Sequence, residues 1–528
     1  MSAITPQTEL RLLKCPIESD NRNQLTFANA TAQYNYFNSL PHITADNFTY
    51  QRKDSVIRYP AHIDSIMSYN YVMYQNENYT DKWFYAFITG MEYVNDNMTL
   101  ISIKTDVYQS WLFQMEWKNS FIEREHVNDD TLGLHTIPEN VELGQPKVYA
   151  TLKDSASTSL ALVTQSLIDP DSHQDVDKIH EYHNIPIPGK YNRWDTRVDG
   201  KKDLQEFINW LDTNSKKDAL VQMFLAPTWI LGAAQGGSGI EVEETNTIPS
   251  VTLGISRIYQ LDGYTPKNNK LLTYPYCYIA LSNQIGQMNI YKQERWELDS
   301  NNEMLVIMKG CLTPGCSVKA LPLGYNGEGY GKGYVDEGIS LGKYPILAWS
   351  SDTYTNWLTQ NGVNLGFKAA GAITGVVGGA ALSLTGAGAI AGASMIAGGL
   401  GMVSDSIKEV YQHSLVPDSI EGSLNSGDIL NAYGENRLTC YRMGVTQEYA
   451  KIIDQYFSSY GYKVNTVKIP NLTGRTNWNY VKTIGANIEG DIPEDHLNEI
   501  KTIFNNGVTL WHNASTYLDY SQSNTIVS

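Results

Sequence analysis

Two stretches of the chain carry residue types that could do chemistry. In Phe121-Ile122-Glu123-Arg124-Glu125-His126-Val127, two carboxylates and an imidazole follow closely on one another, the raw material of general acid/base catalysis. Alternation along a strand would place Arg124 and His126 on one face and Glu123 and Glu125 on the other, which favours ion pairing over proton transfer. The second stretch holds His173, Asp175, Asp177, His180 and His183, a mixture that can bind zinc or a harder cation. Its spacing fits no defined ligand pattern, so the favoured reading is a solvated acidic loop. The pair Cys311 and Cys316 could close a small loop, but a chain made in a cytoplasm keeps its thiols free. With five widely scattered cysteines, no disulfide framework is implied.

Other chemical signatures are absent from the sequence. There is no Gly-x-Ser-x-Gly elbow, no His-Glu-x-x-His and no Walker loop. Gly327-Glu328-Gly329-Tyr330-Gly331-Lys332-Gly333 lacks the strand before and the helix after that a phosphate cradle needs, so its glycines serve backbone freedom. The expectation is therefore no catalytic residue, no metal site and no cofactor.

The elements that must position these residues read as α+β, mainly β. Tyr71 to Tyr74, Lys82 to Ile88 and Met98 to Lys104 are aromatic and β-branched runs separated by Asn/Asp-rich turns, the pattern of a meander. A short helical turn precedes them near His62 to Ile66. From about 151 to 350, short strands with many Gly, Pro and Asn surround one helix at Lys202 to Leu211. The carboxy-terminal part predicts a helix at Gln447 to Tyr460, strands at Tyr462 to Val467 and Trp478 to Ile484, a helix from Pro493 to Phe504, and a last strand at Val508 to Trp511. Pro493 at a first-turn position, with Glu494 and Asp495 beside it, suits the positive end of the helix dipole.

One segment stands apart from this pattern. Between Lys368 and Asp405 no residue is charged, and almost all are Gly, Ala or small aliphatic, a membrane-contacting composition. Its candidate membrane-active residues are Leu365, Phe367, Gly371, Ile373, Gly375, Val376, Val377, Gly379, Leu382, Leu384, Ile390, Gly392, Met395, Ile396, Leu400 and Met402. As one straight helix it would be roughly 54 Å long, too long for one crossing of a hydrocarbon core of about 30 Å. A hairpin breaking at Thr385-Gly386-Ala387-Gly388 fits better. Gly371, Gly375 and Gly379 share one helical face and let backbones approach closely, as do Gly388 and Gly392. Each Leu, Ile, Phe or Val gains only about 0.3 to 0.6 kcal/mol on insertion, so a single copy would insert marginally and several presented together would act multivalently. The competing reading is a buried glycine-rich core hairpin or a linker, although a linker would carry Ser and charge.

The net charge of −17 over 528 residues argues against a protein that grips nucleic acid through Lys/Arg clusters, and fits a surface past which DNA slides. The amino terminus has neither a basic region nor an apolar run, so synthesis in a cytoplasm is expected, with delivery to a membrane from outside after assembly. The sequons at Asn29, Asn78 and Asn97 are then chance matches.

Ser120 to Val127, preceded by Asn76 to Phe87 and by Thr105 to Trp111, closely resembles the distal tail tube, or tail knob, proteins of Picovirinae-type podoviruses of Gram-positive hosts (Salasmaviridae and Rountreeviridae). Tyr274-Pro275-Tyr276-Cys277 resembles the same family's middle region. Tyr460 to Leu472 and Glu499 to His512 are similar to its carboxy-terminal domain, whereas about 151 to 260 match only loosely. The resemblance implies a homohexameric β-rich tube at the distal tip of a short non-contractile tail. That tube would contact a proximal tail tube protein and pass viral double-stranded DNA without sequence-specific binding. Tube domains would come from residues 1–150 and 411–528, with an inserted peripheral β-rich domain at 151–350. The hydrophobic loop at 351–410 would plug the lumen and then enter the host cytoplasmic membrane to form a pore. Such a chain is a late, virion-borne product made in the host cytoplasm and is not an enzyme. The alternative is a tail-associated cell-wall-degrading or glycan-cleaving enzyme, since acidic pairs exist and the chain holds 35 Tyr and 11 Trp. Aromatics at strand spacing are more often core and interface than sugar platforms. A third reading, a soluble pore-forming toxin, would carry an export signal.

Overall fold

The computed structural model describes residues 8–45, 55–76, 82–156, 160–176, 178–194, 198–216, 219–232, 240–284, 286–326, 338–344, 346–349 and 438–527. The architecture is α+β and mainly β, and the chain divides into two compact units. The first gathers both chain ends, Met1–Glu142 and Glu448–Ser528, with the short run Pro266–Leu271. The second comprises Leu143–Thr265 and Leu272–Gln447.

In the first unit, Tyr71–Asn76, Trp83–Asn95 and Met98–Thr105 form the expected meander. It is extended by Thr8–Leu13 and His42–Ala45 on one side and by Val56–Tyr59 on the other. All pairings in this sheet are antiparallel. Its central strands are apolar on both faces. Tyr71, Met73, Tyr85 and Phe87 enter a core with Leu13, Phe37, Trp478 and Trp511, while Val72, Tyr74 and Ala86 enter another with Ile57, Ile101 and Ile103. Side chains alternate with period two, so a sheet covered on both faces needs apolar residues at consecutive positions. That is why Tyr71 to Tyr74 shows no polar alternation.

A second sheet runs in the order Asn23–Leu25, Val508–Trp511, Trp478–Ile484, Ser120–Glu125, Tyr462–Lys468. Asn23–Leu25 pairs in parallel with Val508–Trp511, joining one chain end to the other. Trp478 and Trp511 are cross-strand partners whose ring centroids lie 5.1 Å apart, and both fill the first core. The helix Glu494–Asn506 packs Ile500, Ile503 and Phe504 against Val481, Val508 and Leu510. Pro493 is its N-cap residue, with an extended ψ of 138°, rather than part of its first turn, which Glu494 and Asp495 occupy. The helix Gln447–Tyr460 stops at Gly461, whose φ is +64° and whose N–H bonds to Phe457 O at 2.8 Å. A Cβ there would meet the carbonyl oxygen of Glu125 at 2.1 Å, so only glycine fits. A helix at Ala30–Ser39, absent from the sequence reading, begins at Asn29, whose side chain accepts the Ala32 N–H at 2.9 Å.

Buried polar groups tie these layers together. Asp106 caps the helix Val107–Trp111 by accepting the Gln109 N–H at 3.1 Å, and accepts the Tyr71 O–H at 2.8 Å. Burial nevertheless pushes its pKa up to about 6. Glu139, 1% exposed at its side chain, faces two buried cations: Lys270 Nζ at 2.5 Å and the Arg124 guanidinium. It also accepts the Lys463 N–H at 2.8 Å. Burial lowers the Lys270 pKa, and the Glu139 charge opposes that shift. Asp454 accepts the N–H groups of Lys267 at 2.8 Å and Asn268 at 3.1 Å, and Asp130 that of Asn269 at 2.9 Å. Three carboxylates thus hold the short run Pro266–Leu271 in place.

The second unit is built from antiparallel sheets. One has the order Lys147–Lys153, Thr439–Gly444, Cys277–Ser282, Met288–Tyr291, and another Ser250–Ser256, Glu303–Gly310, Ser317–Leu323, Ile339–Lys343. A five-stranded sheet runs Ile240–Glu241, Lys190–Trp194, Leu160–Ser166, Leu220–Pro227, Ile346–Trp349, and a hairpin joins Ile179–Tyr182 to Ile185–Pro188. The helix Val198–Thr213 extends the expected one at both ends. It buries Leu204, Phe207, Ile208 and Leu211, the i, i+3, i+4, i+7 stripe of a one-sided helix, with Phe207 stacked on Trp194.

Two stability outcomes follow from the buried charges. Glu139→Ala removes the carboxylate facing two buried cations, a change worth about 3–5 kcal/mol when a buried pair is broken. The urea midpoint of the isolated subunit should drop accordingly, and an unchanged midpoint would contradict the role given to Glu139. Asp106 has a folded-state pKa above the unfolded value, so the folded state holds its proton more tightly and its contribution to stability rises as pH falls from about 6 to about 4. Relative to Asp106→Asn, the wild-type midpoint should therefore climb across that window; a flat or falling difference would remove the assignment.

Candidate functional site

The segment holding Leu365 to Met402 lies wholly within residues 350–437, outside the described residues; the glycine run 327–333 also lies outside them, within residues 327–337. What the structure describes is how the chain leaves and returns. It leaves along Ile346–Trp349, which among the described residues is the edge strand of the five-stranded sheet, paired with Leu220–Pro227. It returns along Thr439–Gly444, paired on both sides with Lys147–Lys153 and Cys277–Ser282, with Leu438 and Cys440 fully buried. Both anchors belong to the second unit. Among the described residues, no helix is long and apolar enough to cross a membrane.

The acid/base stretch occupies an interior strand of the first unit. Ser120–Glu125 is flanked by Trp478–Ile484 and Tyr462–Lys468, and both ladders shift register where they pass Glu123. Ile122 and Arg124 face Thr483 and Lys482, which leaves Glu123 as the extra residue of a bulge. The bulge overturns the simple alternation expected from sequence. Glu123 and Arg124 line the same cleft of about 320 Å³ with Tyr456, Tyr480 and Lys482, while Glu125 turns elsewhere, to the Asn471 N–H at 2.8 Å and to Lys468.

The ion pairing expected there is present. Glu123 meets Lys482 at 2.9 Å, and Arg124 pairs with Glu139, donates to Gly461 O at 2.6 Å and lies over the Tyr456 ring at 4.8 Å. His126 is buried. Its Nδ1 accepts the Tyr480 N–H at 2.8 Å, so the proton sits on Nε2 and is donated to Ser458 O at 3.1 Å. Burial pushes its pKa down to about 3. A neutral ring with both nitrogens committed to the backbone is a structural strut and not a proton shuttle.

The five-residue His/Asp stretch is dispersed. The His173 ring stacks on Trp210 with centroids 4.3 Å apart, Asp175 faces Lys216 at 3.1 Å, and His183 Nδ1 accepts the Leu312 N–H at 2.9 Å. Asp177 lies outside the described residues. His180 and His183 are buried, so the solvated loop expected from sequence is corrected at these positions: the hairpin Ile179–Pro188 carries both rings inward. His180 Nδ1 lies 2.8 Å from Glu244 Oε1 and 3.7 Å from Glu241 Oε1. The two glutamates come from a distant part of the chain, and no spacing in the sequence links them to His180. All five cysteines are free thiols, and burial pushes that of Cys316 up to about 12.

Comparison with known proteins adds a family to this geometry. Residues 244–525 match the C-terminal domain of the Bacillus phage phi29 tail knob protein gp9, and residues 6–117 match the N-terminus of the caudoviral major tail protein. Over its length the chain is 27% identical to tail knob protein gp9 of Bacillus phage phi29 and 28% identical to that of Bacillus phage PZA, with 96% of each chain covered. It is 25% identical to tail knob protein gp9 of Bacillus phage B103, with 98% of each covered. The fold is similar to that of the bacteriophage C1 tail knob protein gp12, with a TM-score of 0.61 at 14% identity, covering 98% of this chain and 100% of that one. The chain therefore belongs to the phi29-type tail knob protein family, whose members are structural components of phage tails.

Proposed function

We propose that the chain assembles as a homohexamer at the distal tip of a short non-contractile tail, forming a conduit for the viral genome. The observation that carries this reading is the charge-free, small-residue segment between Lys368 and Asp405 inside a tail knob protein. Six such segments brought together would plug the lumen before infection and insert cooperatively into the host cytoplasmic membrane afterwards. The chain is made in the host cytoplasm and meets the proximal tail tube protein on its other side. Residues 1–150 and 411–528 supply the tube and 151–350 a peripheral domain. The formal charge of −17 suits a wall that lets duplex DNA pass without holding its phosphates, and no sequence-specific contact is assigned.

An enzymatic reading finds no support in the stretch that prompted it. The Glu123 and Glu125 carboxylates are each paired with a lysine, and His126 is committed to the backbone. The three relatives described above are named as tail knob proteins.

Electron microscopy of the purified chain should show six-fold rings with a central channel, and dye-loaded vesicles should leak when they are added. A variant lacking residues 365–402 should form rings without leakage; equal leakage from both would sink the membrane role. Charge placed inside the segment costs about 2.5 to 3.5 kcal/mol per copy at mid-membrane. Val377→Asp and Ile390→Lys should thus yield folded rings that fail to release dye. If either variant instead loses its folded state, the segment is buried core.

A further inference from the structure

We propose that His180, Glu241 and Glu244 form a site for a divalent transition-metal ion of the zinc class. His180 Nδ1 and one oxygen from each carboxylate lie within 4.8 Å of one another. In a tetrahedral zinc site, bonds of about 2.0–2.1 Å set ligand atoms roughly 3.3 Å apart. The observed 2.8 Å and 3.7 Å from Nδ1 to Glu244 and Glu241 bracket that value, so side-chain shifts of about half an ångström bring each carboxylate to its place relative to Nδ1.

The ligands are already aimed. His180 sits in the hairpin opposite Ile187, and Glu241 is in register with Asn192. The segment carrying Glu244 is fastened beside the hairpin by His183 N–H to Thr245 O at 2.6 Å and Asn184 Nδ2 to Asn246 O at 3.0 Å. Each carboxylate has its other oxygen held: Glu244 Oε2 by the Glu181 N–H at 3.1 Å, and Glu241 Oε2 by Lys190 Nζ at 3.1 Å. Partners behind the ligands orient them as in built metal sites.

A plain hydrogen bond accounts for only half of this arrangement. One Nδ1–H serves one carboxylate, yet two carboxylates converge on the same nitrogen, and like charges converge where a cation lies between them. Lys190 offsets Glu241 from its far side and weakens metal affinity without filling that position. The imidazole is 10% exposed while the two carboxylates are 44% and 48% exposed, so an ion can enter from solvent and keep a water as its fourth ligand. An imidazole with only two carboxylates selects zinc, cobalt or nickel over calcium or magnesium, which demand more oxygen ligands. Binding replaces the proton on Nδ1 and releases it to solvent. The ion would staple the hairpin Ile179–Pro188 to residues 240–246.

The full-length chain, stripped with a chelator, is titrated with zinc chloride in a calorimeter, and with cobalt chloride while visible absorption is recorded. The expected result is one zinc per subunit, a visible cobalt band of tetrahedral intensity, and an unfolding midpoint raised by zinc but not by equal calcium or magnesium. Glu244→Gln, an exposed and nearly isosteric change, should keep the metal-free midpoint and weaken zinc binding at least tenfold, as should His180→Ala. Should His180→Ala fail to fold, Glu244→Gln alone decides. No zinc uptake, or uptake and cobalt spectra unchanged in Glu244→Gln, would overturn the site.

Discussion

The buried Glu139 carboxylate is the constraint on which the first unit depends. A carboxylate at 1% exposure is tolerable only with cations and donors around it, and here Arg124, Lys270 and the Lys463 N–H supply them. Those partners belong to three separate stretches of chain, so the charge is satisfied only when all three have arrived around it. Apolar packing alone would accept many registers of Ser120–Glu125 between its neighbours. The bulge at Glu123, the pairing of Arg124 with Glu139 and the close approach of Gly461 to the Glu125 carbonyl accept one.

Specificity of this kind explains why the best acid/base candidate turned out to be architecture. A run of two glutamates, an arginine and a histidine looks chemical in sequence because its charges are dense. In the fold that density serves a buried interior strand, where each charge needs a partner and finds one.

Elements whose signal is local were legible in the sequence. Trp478–Ile484, Val508–Trp511 and Gln447–Tyr460 fall where strand alternation, aromatic content and helical periodicity put them. Ala30–Ser39 was not, because its Asn and Tyr content is poor for a helix and tertiary packing of Phe37 overrides it; Asn29 as N-cap was the one signal to use. Glu139 lies in a stretch without regular structure, and its role is set by residues such as Lys270 that sequence distance conceals. The same holds for Glu241 and Glu244 beside His180. The bulge was invisible because it is a mismatch between three strands, and no single strand encodes it.

The unequal anchoring of residues 350–437 has a mechanical consequence. On the outgoing side, among the described residues, Ile346, Ala348 and Trp349 have partners in register, all on one neighbour, whereas every residue from Thr439 to Gly444 is gripped by two neighbours. Freeing the outgoing strand breaks one short ladder, whereas freeing the return strand breaks two longer ones at once, so of the two the outgoing strand is the weaker attachment.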